Sequence, residues 1–173
     1  MTILADKEET GSEGNTGLDS AYLKYFIGDL AAPWGVEART VLSASKCLSA
    51  DVNAAYDPTF GDVNDKRNCA YAGYGVVITK YTGSRGKGGT SDASAEYMSE
   101  IRRMLDQSEV IWQTGELGKV DQGGGGTVAK YIAGLNVDVV DVGVPVLSMH
   151  APMEVVSKLD VYMTYLAFLA FYR

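Results

Sequence analysis

The sequence predicts an α/β fold in which helices sandwich a mixed central sheet. Apolar runs typical of buried strands alternate along the chain with segments whose apolar residues recur at helical spacing. The chain has 173 residues, 46% of them hydrophobic, which is enough for one domain with a substantial core and too little for two ordinary ones. The sequence contains no internal repeat.

The sequence of the first part of the chain predicts a short strand, two helices and a second strand. Residues 2–5 form an apolar run, and a loop rich in Glu, Gly and Ser follows it. The segment 18–31 has apolar residues at helical spacing, and a proline separates it from a second helical stretch at 35–42. Residues 45–51 are typical of a strand that brings its last residue, Asp51, to one edge of the sheet.

The remainder predicts further strands and helices joined by two glycine-rich loops. The loop at 82–90 also contains Lys and Arg and is expected to be mobile, whereas the loop at 115–126 is mainly glycine. Ser91 or Asp92 is expected to cap the helix that runs to about residue 107. The other predicted elements are strands at 75–81, 110–113, 137–142 and 144–149, and helices at 127–133 and 153–172.

Composition excludes several classes of protein. The 22 acidic and 15 basic side chains give a formal net charge of -7, and without a basic patch a nucleic-acid partner is not expected. The longest apolar stretch, 161–172, is shorter than the about 20 residues of a membrane span. Two cysteines are too few for a disulfide framework, so we expect reduced thiols in a cytoplasmic protein.

Three polar side chains are each expected at the end of a different strand. Glu9, within the acidic turn Asp-Lys-Glu-Glu at 6–9, follows the first predicted strand; Asp51 ends the second; and His150, the only histidine, ends the last. Polar groups at the carboxyl ends of strands often form ligand sites in α/β folds. Oxygen and nitrogen donors of this kind suit zinc or manganese. A solvated acidic turn, an Asp that caps a turn and a structural His are the simpler interpretations of the same residues.

The glycine run at 121–127 opens a predicted helix. Backbone N–H groups there could bind a carboxylate or phosphate, but no Gly-Lys-Ser/Thr follows, so the phosphate-loop pattern is not matched. A close-packed turn or a loop beside a substrate is the favoured interpretation, with Gly125 as the candidate substrate-binding residue.

Three motifs, in order and at matching spacing, resemble the aspartyl aminopeptidase and vacuolar aminopeptidase I family of zinc metallopeptidases. They are Asp-Lys-Glu-Glu-Thr-Gly-Ser at 6–12, Ser-Ala-Asp at 49–51, and Gly-Val-Pro-Val-Leu-Ser-Met-His at 143–150, followed by Glu154. The resemblance covers essentially the whole chain and corresponds to the carboxyl-terminal part of the family's catalytic domain. It implies a zinc-aminopeptidase-like fold of the phosphorylase/hydrolase-like type.

The resemblance also implies a role for each matching residue. Glu8 would be the general base and acid, Glu9 and His150 would bind one zinc ion, and Asp51 would bind the other. Two metals can activate a water between them while a carboxylate outside the metal shell moves the proton. The cofactors implied are two zinc ions, with Mn or Co as substitutes, and the reaction is removal of the amino-terminal residue from a peptide.

The family also uses a second His ligand and a bridging Asp that precede the Glu-Glu motif, together with an inserted dimerisation domain. This sequence contains no counterpart of either ligand. We therefore expect residues 1–173 to be a carboxyl-terminal portion of the catalytic domain that binds zinc poorly and has little activity alone.

Substrate preference and partners follow from the same resemblance. Family members form homo-oligomeric shells, and some prefer acidic amino-terminal residues, for which Arg85 and Lys87 are the candidate cations; a solvated basic loop is the simpler interpretation. Two other functions stay open: a non-catalytic structural or assembly piece, and a metal-free hydrolase that uses paired carboxylates.

Overall fold

The structure is a computed structural model that describes residues 1–85, 88–119 and 121–173. The chain divides into two compact units. The first contains residues 1–47 and 128–139, and the second contains residues 48–127 and 140–173. The α/β class is confirmed, because a mixed sheet with flanking helices forms the main secondary structure.

The described residues form five α-helices. They are α1 (Tyr22–Ala31), α2 (Ala38–Ser43), α3 (Ala95–Gln107), α4 (Ala129–Ala133) and α5 (Lys158–Phe171). The cap of α3 is Ser94, whose Oγ accepts a hydrogen bond from the backbone N–H of Tyr97 at 3.1 Å. The predicted caps, Ser91 and Asp92, are wrong, because both residues belong to the preceding strand.

The strands form a mixed sheet and a separate hairpin. They are β1 (Lys46–Ala54), β2 (Val76–Thr79), β3 (Tyr81–Ser84), β4 (Gly88–Asp92), β5 (Trp112–Thr114), β6 (Asp138–Leu147) and β7 (Val155–Val156). The sheet order is β1-β6-β2-β5, with β7 also paired to β6, whereas β3 and β4 pair with each other. Strand β2 runs antiparallel to β6 and parallel to β5.

The core of the second unit surrounds β2. Val76, Val77 and Ile78 are completely buried, which is typical of a central strand covered on both faces. Helices α3 and α5 contact each other, and α5 also contacts β2. Tyr97, Ile101 and Leu105 of α3 belong to this core cluster, at the spacing that places side chains on one face of a helix.

The first unit has a smaller core of its own. Its buried apolar side chains come from α1, α2, α4 and the start of β6 with the residue before it: Ile27, Leu42, Ala129, Ile132, Val137 and Val139. The side chains of Tyr22, Tyr25 and Trp34 lie outside this core and are largely exposed.

Several predicted element boundaries are wrong. Residues 2–5 form no strand and are exposed, with Leu4 92% exposed, since an apolar run becomes a strand only where a neighbouring strand pairs with its backbone. Strand β1 continues three residues beyond Asp51. The two predicted strands separated by Gly143 are one continuous strand, β6.

The described part of the predicted mobile loop at 82–90 belongs to the β3–β4 hairpin.

The final helix begins at Lys158, after β7, and buries one face only, because Tyr162 and Tyr165 on its other side are exposed and stack on each other. No helix within the described residues is long and apolar enough to cross a membrane.

Candidate functional site

Glu8 and Glu9 lie in a tight turn of the first unit. They begin a single 3₁₀ turn, Glu8–Thr10, between two left-handed residues, Lys7 with φ 59° and Gly11 with φ 99°. The carbonyl oxygen of Lys7 accepts hydrogen bonds from the backbone N–H groups of Thr10 and Ser12 at 3.2 and 2.8 Å. This backbone bonding holds the two adjacent carboxylates on a folded turn, although the strand that was predicted to precede them is absent.

Further bonds hold both sides of that turn. Thr16 Oγ1 donates to Asp6 Oδ2 at 2.6 Å, and this hydrogen bond lowers the pKa of the Asp6 carboxyl. Tyr131 Oη donates to the carbonyl oxygen of Gly11 at 2.9 Å. The turn is therefore held by α4 of the same unit as well as by its own backbone.

Asp51 lies inside β1 of the second unit, and its side chain is exposed. Its Oδ1 accepts a hydrogen bond from the backbone N–H of Val52 at 2.7 Å. A Cβ atom added to Gly143 of β6 would lie 1.9 Å from the carbonyl oxygen of Asp51, well inside van der Waals contact. Glycine at 143 is therefore what allows β6 to approach the backbone of Asp51 so closely.

His150 lies in the turn that follows β6 and has a left-handed backbone, with φ 65°. Its backbone N–H donates to Glu154 Oε1 at 2.5 Å, a charge-assisted bond that closes the turn. The preceding strand ends at Leu147, so His150 lies in the turn beyond it and does not end the strand as predicted.

The donor types of Glu9, Asp51 and His150 fit zinc, because carboxylate oxygens and imidazole nitrogens are common zinc ligands. Glu8 and Glu9 belong to the first unit, whereas Asp51 and His150 belong to the second. Within residues 1–85, 88–119 and 121–173, no group of three His, Cys, Asp or Glu side chains is close enough to hold a metal ion. The ligand assignment therefore stays a prediction.

A buried polar network that the sequence reasoning missed lies beside Asp51. Asp141 of β6 is 7% exposed, and Asn53 of β1 is 3% exposed. Thr127 Oγ1 donates to Asp141 Oδ2 at 2.9 Å, and Asn53 Nδ2 donates to Thr79 Oγ1 at 2.6 Å. Burial raises the pKa of the Asp141 carboxyl to about 6, although the hydroxyls of Ser49 and Thr127 oppose the shift. An aspartate within a run of valines was the sequence signal for this network.

The glycine-rich loop lies against the β3–β4 hairpin within the second unit. The backbone N–H of Arg85 donates to the carbonyl oxygen of Gly123 at 2.8 Å. Gly124 has φ 86°, and a Cβ atom there would lie 2.5 Å from the carbonyl oxygen of Gly83. The loop is thus a close-packed turn, which is one of the two interpretations that the sequence left open. Gly125 is part of it, with open space where a side chain would be.

A cavity of about 270 Å³ lies between this loop and the hairpin. Glu116 lines this cavity, and burial raises the pKa of its carboxyl to about 7. The positive charge of Lys80 lowers this pKa, whereas the negative charge of Asp92 raises it further. Lys80 forms an ion pair with Asp92. The side chain of Arg85 is exposed. Lys87, the other predicted substrate cation, lies outside the described residues.

Comparison with known proteins identifies the family. The family model of the aminopeptidase I zinc metalloproteases (M18) matches residues 1–172. The chain belongs to the M18 family of zinc metalloproteases. The resemblance carried by the three motifs is therefore confirmed, and with it the assignment to a family of metalloaminopeptidases.

Solved M18 structures share the fold over the whole chain. The crystal structure of aminopeptidase I from Clostridium acetobutylicum is 50% identical, with a TM-score of 0.91, and the match covers 99% of this chain and 38% of that one. The Thermotoga maritima M18 aminopeptidase is 43% identical, also with a TM-score of 0.91, covering 96% of this chain and 38% of that one.

A curated relative, the probable M18 family aminopeptidase 1 of Borreliella burgdorferi (strain ZS7), is 49% identical over 100% of this chain and 39% of its own length. The M18 chain described here thus spans about two fifths of the length of the curated relatives it matches.

Proposed function

We propose that this chain forms part of the catalytic domain of a zinc-dependent aminopeptidase, which hydrolyses the amino-terminal peptide bond of its substrates. The observation that carries the proposal is the M18 match over residues 1–172, together with 50% identity to an aminopeptidase I of the same fold. In this assignment Glu8 is the general base and acid, Glu9 and His150 hold one zinc ion, and Asp51 holds a second.

Glu8 would move the proton in this reaction. Its carboxylate takes a proton from the attacking water as the new C–O bond forms, and returns it to the nitrogen as the peptide C–N bond breaks. Bound zinc would supply Lewis acidity, which polarises the carbonyl group and favours the deprotonated form of water. The hydrogen-bonded turn at Lys7–Ser12 supports this role, because it fixes the backbone that carries Glu8 beside Glu9.

We also propose that the zinc ligands present here are completed by ligands outside these 173 residues. The single histidine of the sequence supports this proposal, because the family uses two. A bridging carboxylate offsets the repulsion between two metal ions, so its loss weakens the binding of both. The isolated chain is therefore expected to bind zinc more weakly than micromolar and to have little peptidase activity.

A chimera tests the catalytic assignment. The matching segment of the Clostridium acetobutylicum aminopeptidase I is replaced by residues 1–173, and zinc content and hydrolysis of aminoacyl-p-nitroanilides are measured. The chimera is expected to be active and sensitive to chelators, and Glu8→Gln should reduce kcat by about 10²- to 10⁴-fold without loss of zinc. Glu13→Gln, an exposed glutamate of the same loop, is the matched control.

The chimera also separates the alternative functions. Full activity in the Glu8→Gln chimera would contradict the role of Glu8. Activity that is lost in Glu8→Gln but survives chelation would favour a metal-free hydrolase with paired carboxylates. Two metals bound at micromolar affinity or tighter by the isolated chain, with turnover, would contradict the incomplete ligand set. A folded chimera that binds zinc but has no activity would favour a structural or assembly role.

The proposal also covers the substrates, the oligomeric state and the cellular location of the protein. Peptides are the proposed substrates, with Arg85 as the candidate contact for an acidic amino-terminal side chain. A homo-oligomer is proposed, and the exposed aromatic side chains of α1, Tyr22 and Tyr25, offer apolar surface for it. Both cysteines are free thiols, which supports a reducing, cytoplasmic location.

A further inference from the structure

A small polar cavity lies within the second unit and adjoins Asp51, the proposed ligand of the second zinc ion. Its volume is about 10 Å³, close to the minimum that holds one water-sized species. Among its lining residues are Asp51 and Asn53 of β1, Thr79 of β2, Thr82 of β3 and Asp141 of β6.

Two buried oxygen atoms of this lining have no hydrogen-bond partner. They are Asn53 Oδ1 and Asp141 Oδ1, on side chains that are 3% and 7% exposed. Ser49 Oγ, which does not line the cavity, is a third buried atom without a partner. Each side chain has its other polar atom bonded, Asn53 Nδ2 to Thr79 and Asp141 Oδ2 to Thr127. The orphaned atoms are therefore both acceptors, and their partners hold the two side chains in place.

The charge around the cavity is negative. Asp141 and Asp51 both line it, and none of the described lining residues is Lys, Arg or His. A buried carboxylate with one oxygen unpaired is costly, because burial removes the water that would solvate its charge. A water molecule could donate to both orphaned oxygens but would leave this charge in place. A cation would bind the oxygens and also neutralise the charge.

We propose that this cavity binds a small monovalent cation of the Na⁺, K⁺ or ammonium class. Asp141 Oδ1 and Asn53 Oδ1 are its ligands, and the hydroxyls of Thr79 and Thr82 line the rest of the site. Hard cations prefer oxygen donors of this kind. The cation links β1 to β6, and it also acts on the glycine-rich loop, because Thr127 at the end of that loop is bonded to Asp141.

The two proposed ligands, Asn53 and Asp141, are not among the proposed zinc ligands, so the site is tested on the 173-residue chain with a chelator present. Thermal unfolding is followed in Li⁺, Na⁺, K⁺, Rb⁺ or tetramethylammonium chloride at one ionic strength, which keeps general screening constant. A cation bound with a Kd of about 10 mM would favour the folded state about 20-fold at about 0.2 M. We therefore expect a higher Tm in at least one small cation than in tetramethylammonium, which is too large for the cavity.

Variants assign the effect to the cavity. Asp141→Asn keeps the shape and the acceptor for Thr127 but removes the charge, so its Tm is expected to be the same in all five salts. Asp138→Asn, on an exposed aspartate of the same strand, is the matched control and should keep the wild-type response. Asn53→Ala removes the second ligand and should weaken the cation dependence.

A direct measurement needs no variant. In ²³Na NMR, the sodium line should be broader in the presence of the wild-type chain than in its absence. Added K⁺ or ammonium should remove this extra broadening, because these cations compete for the same site. Equal Tm values of the wild type in all five salts, with no such competition, would overturn the proposal. In that case the cavity holds water, or Asp141 Oδ1 accepts a hydrogen bond from the Ser49 hydroxyl or from an Asn53 amide turned toward it. A cation response that Asp141→Asn retains in full would also overturn it.

Discussion

The carboxylate of Asp160 accepts a hydrogen bond from the backbone N–H of Gly75 at 2.7 Å and another from Gly73 at 2.6 Å. Asp160 lies in the first turn of α5 and is fully buried, whereas the two glycines precede the central strand β2. These charge-assisted bonds join α5 to the turn that leads into the sheet. The final helix is thus fixed by a buried polar contact as well as by its apolar face.

Asp160→Asn is expected to destabilise the chain by about 2–4 kcal/mol. The amide can accept from one glycine N–H but directs its own N–H₂ group toward the other, so one buried donor is left unsatisfied. The free energy of unfolding in urea measures the loss. Asp62→Asn, an exposed aspartate of the same unit, should change it by less than about 0.5 kcal/mol. Equal effects of the two substitutions would contradict the structural role of Asp160.

Gly143→Ala is expected to destabilise the second unit strongly. The added Cβ atom would lie 1.9 Å from the carbonyl oxygen of Asp51, so β1 and β6 must separate locally, at a cost of about 3 kcal/mol or more. Gly125→Ala is the control, because open space surrounds the added atom there. Urea unfolding compares the two. A Gly143→Ala chain as stable as Gly125→Ala would show that the strands do not approach as described.

Thr127→Val should cost about 1–3 kcal/mol, because it removes the donor that satisfies Asp141 Oδ2 and leaves a buried carboxylate oxygen unpaired. Thr127→Ser keeps the hydroxyl and is expected to retain most of the stability. Unfolding free energies give the comparison, and hydrogen exchange of residues 121–126 reports on the glycine-rich loop. If Ser and Val destabilise the chain equally, the lost methyl packing, and not the hydrogen bond, is what matters.

Glu116 is expected to make stability depend on pH between about 4.5 and 7. Burial raises its pKa from 4.5 to about 7, so the folded chain binds more protons than the unfolded chain in this window. Its contribution to stability therefore decreases as the pH rises from about 4.5 to 7. Glu116→Gln should remove this component, whereas the exposed Glu109→Gln should keep it. Denaturant midpoints at several pH values provide the measurement, and identical profiles of wild type and Glu116→Gln would contradict the shift.

The sequence predicted the helices better than the edges of the strands. The helix that ends near residue 107 was predicted correctly, because helical spacing is a property of neighbouring residues. The end of β1 was placed at Asp51 instead of Ala54, and β6 was divided at Gly143. Where a strand ends depends on its hydrogen-bonding partner, which lies far away in the sequence.

The same contrast between local patterns and distant contacts applies to the candidate site. The Glu-Glu turn, Ser-Ala-Asp and the segment that ends at His150 are local patterns, so sequence alone identified the family and gave the residues that are proposed to carry its chemistry. The network of Asn53, Thr79, Thr127 and Asp141 was missed, because its hydrogen bonds join residues on three different strands and a loop.

By itself, the sequence determined the α/β class, the M18 family and the chemical types of the proposed zinc ligands. Only the tertiary structure decided which polar groups are buried together and which remain exposed. The tertiary structure leaves Asp51 exposed inside a strand, buries Asp141 on the adjacent strand, and excludes residues 2–5 from the sheet. The physical reason is that burial and strand pairing are set by contacts between distant segments, whereas motifs and helical periodicity are carried by neighbouring residues.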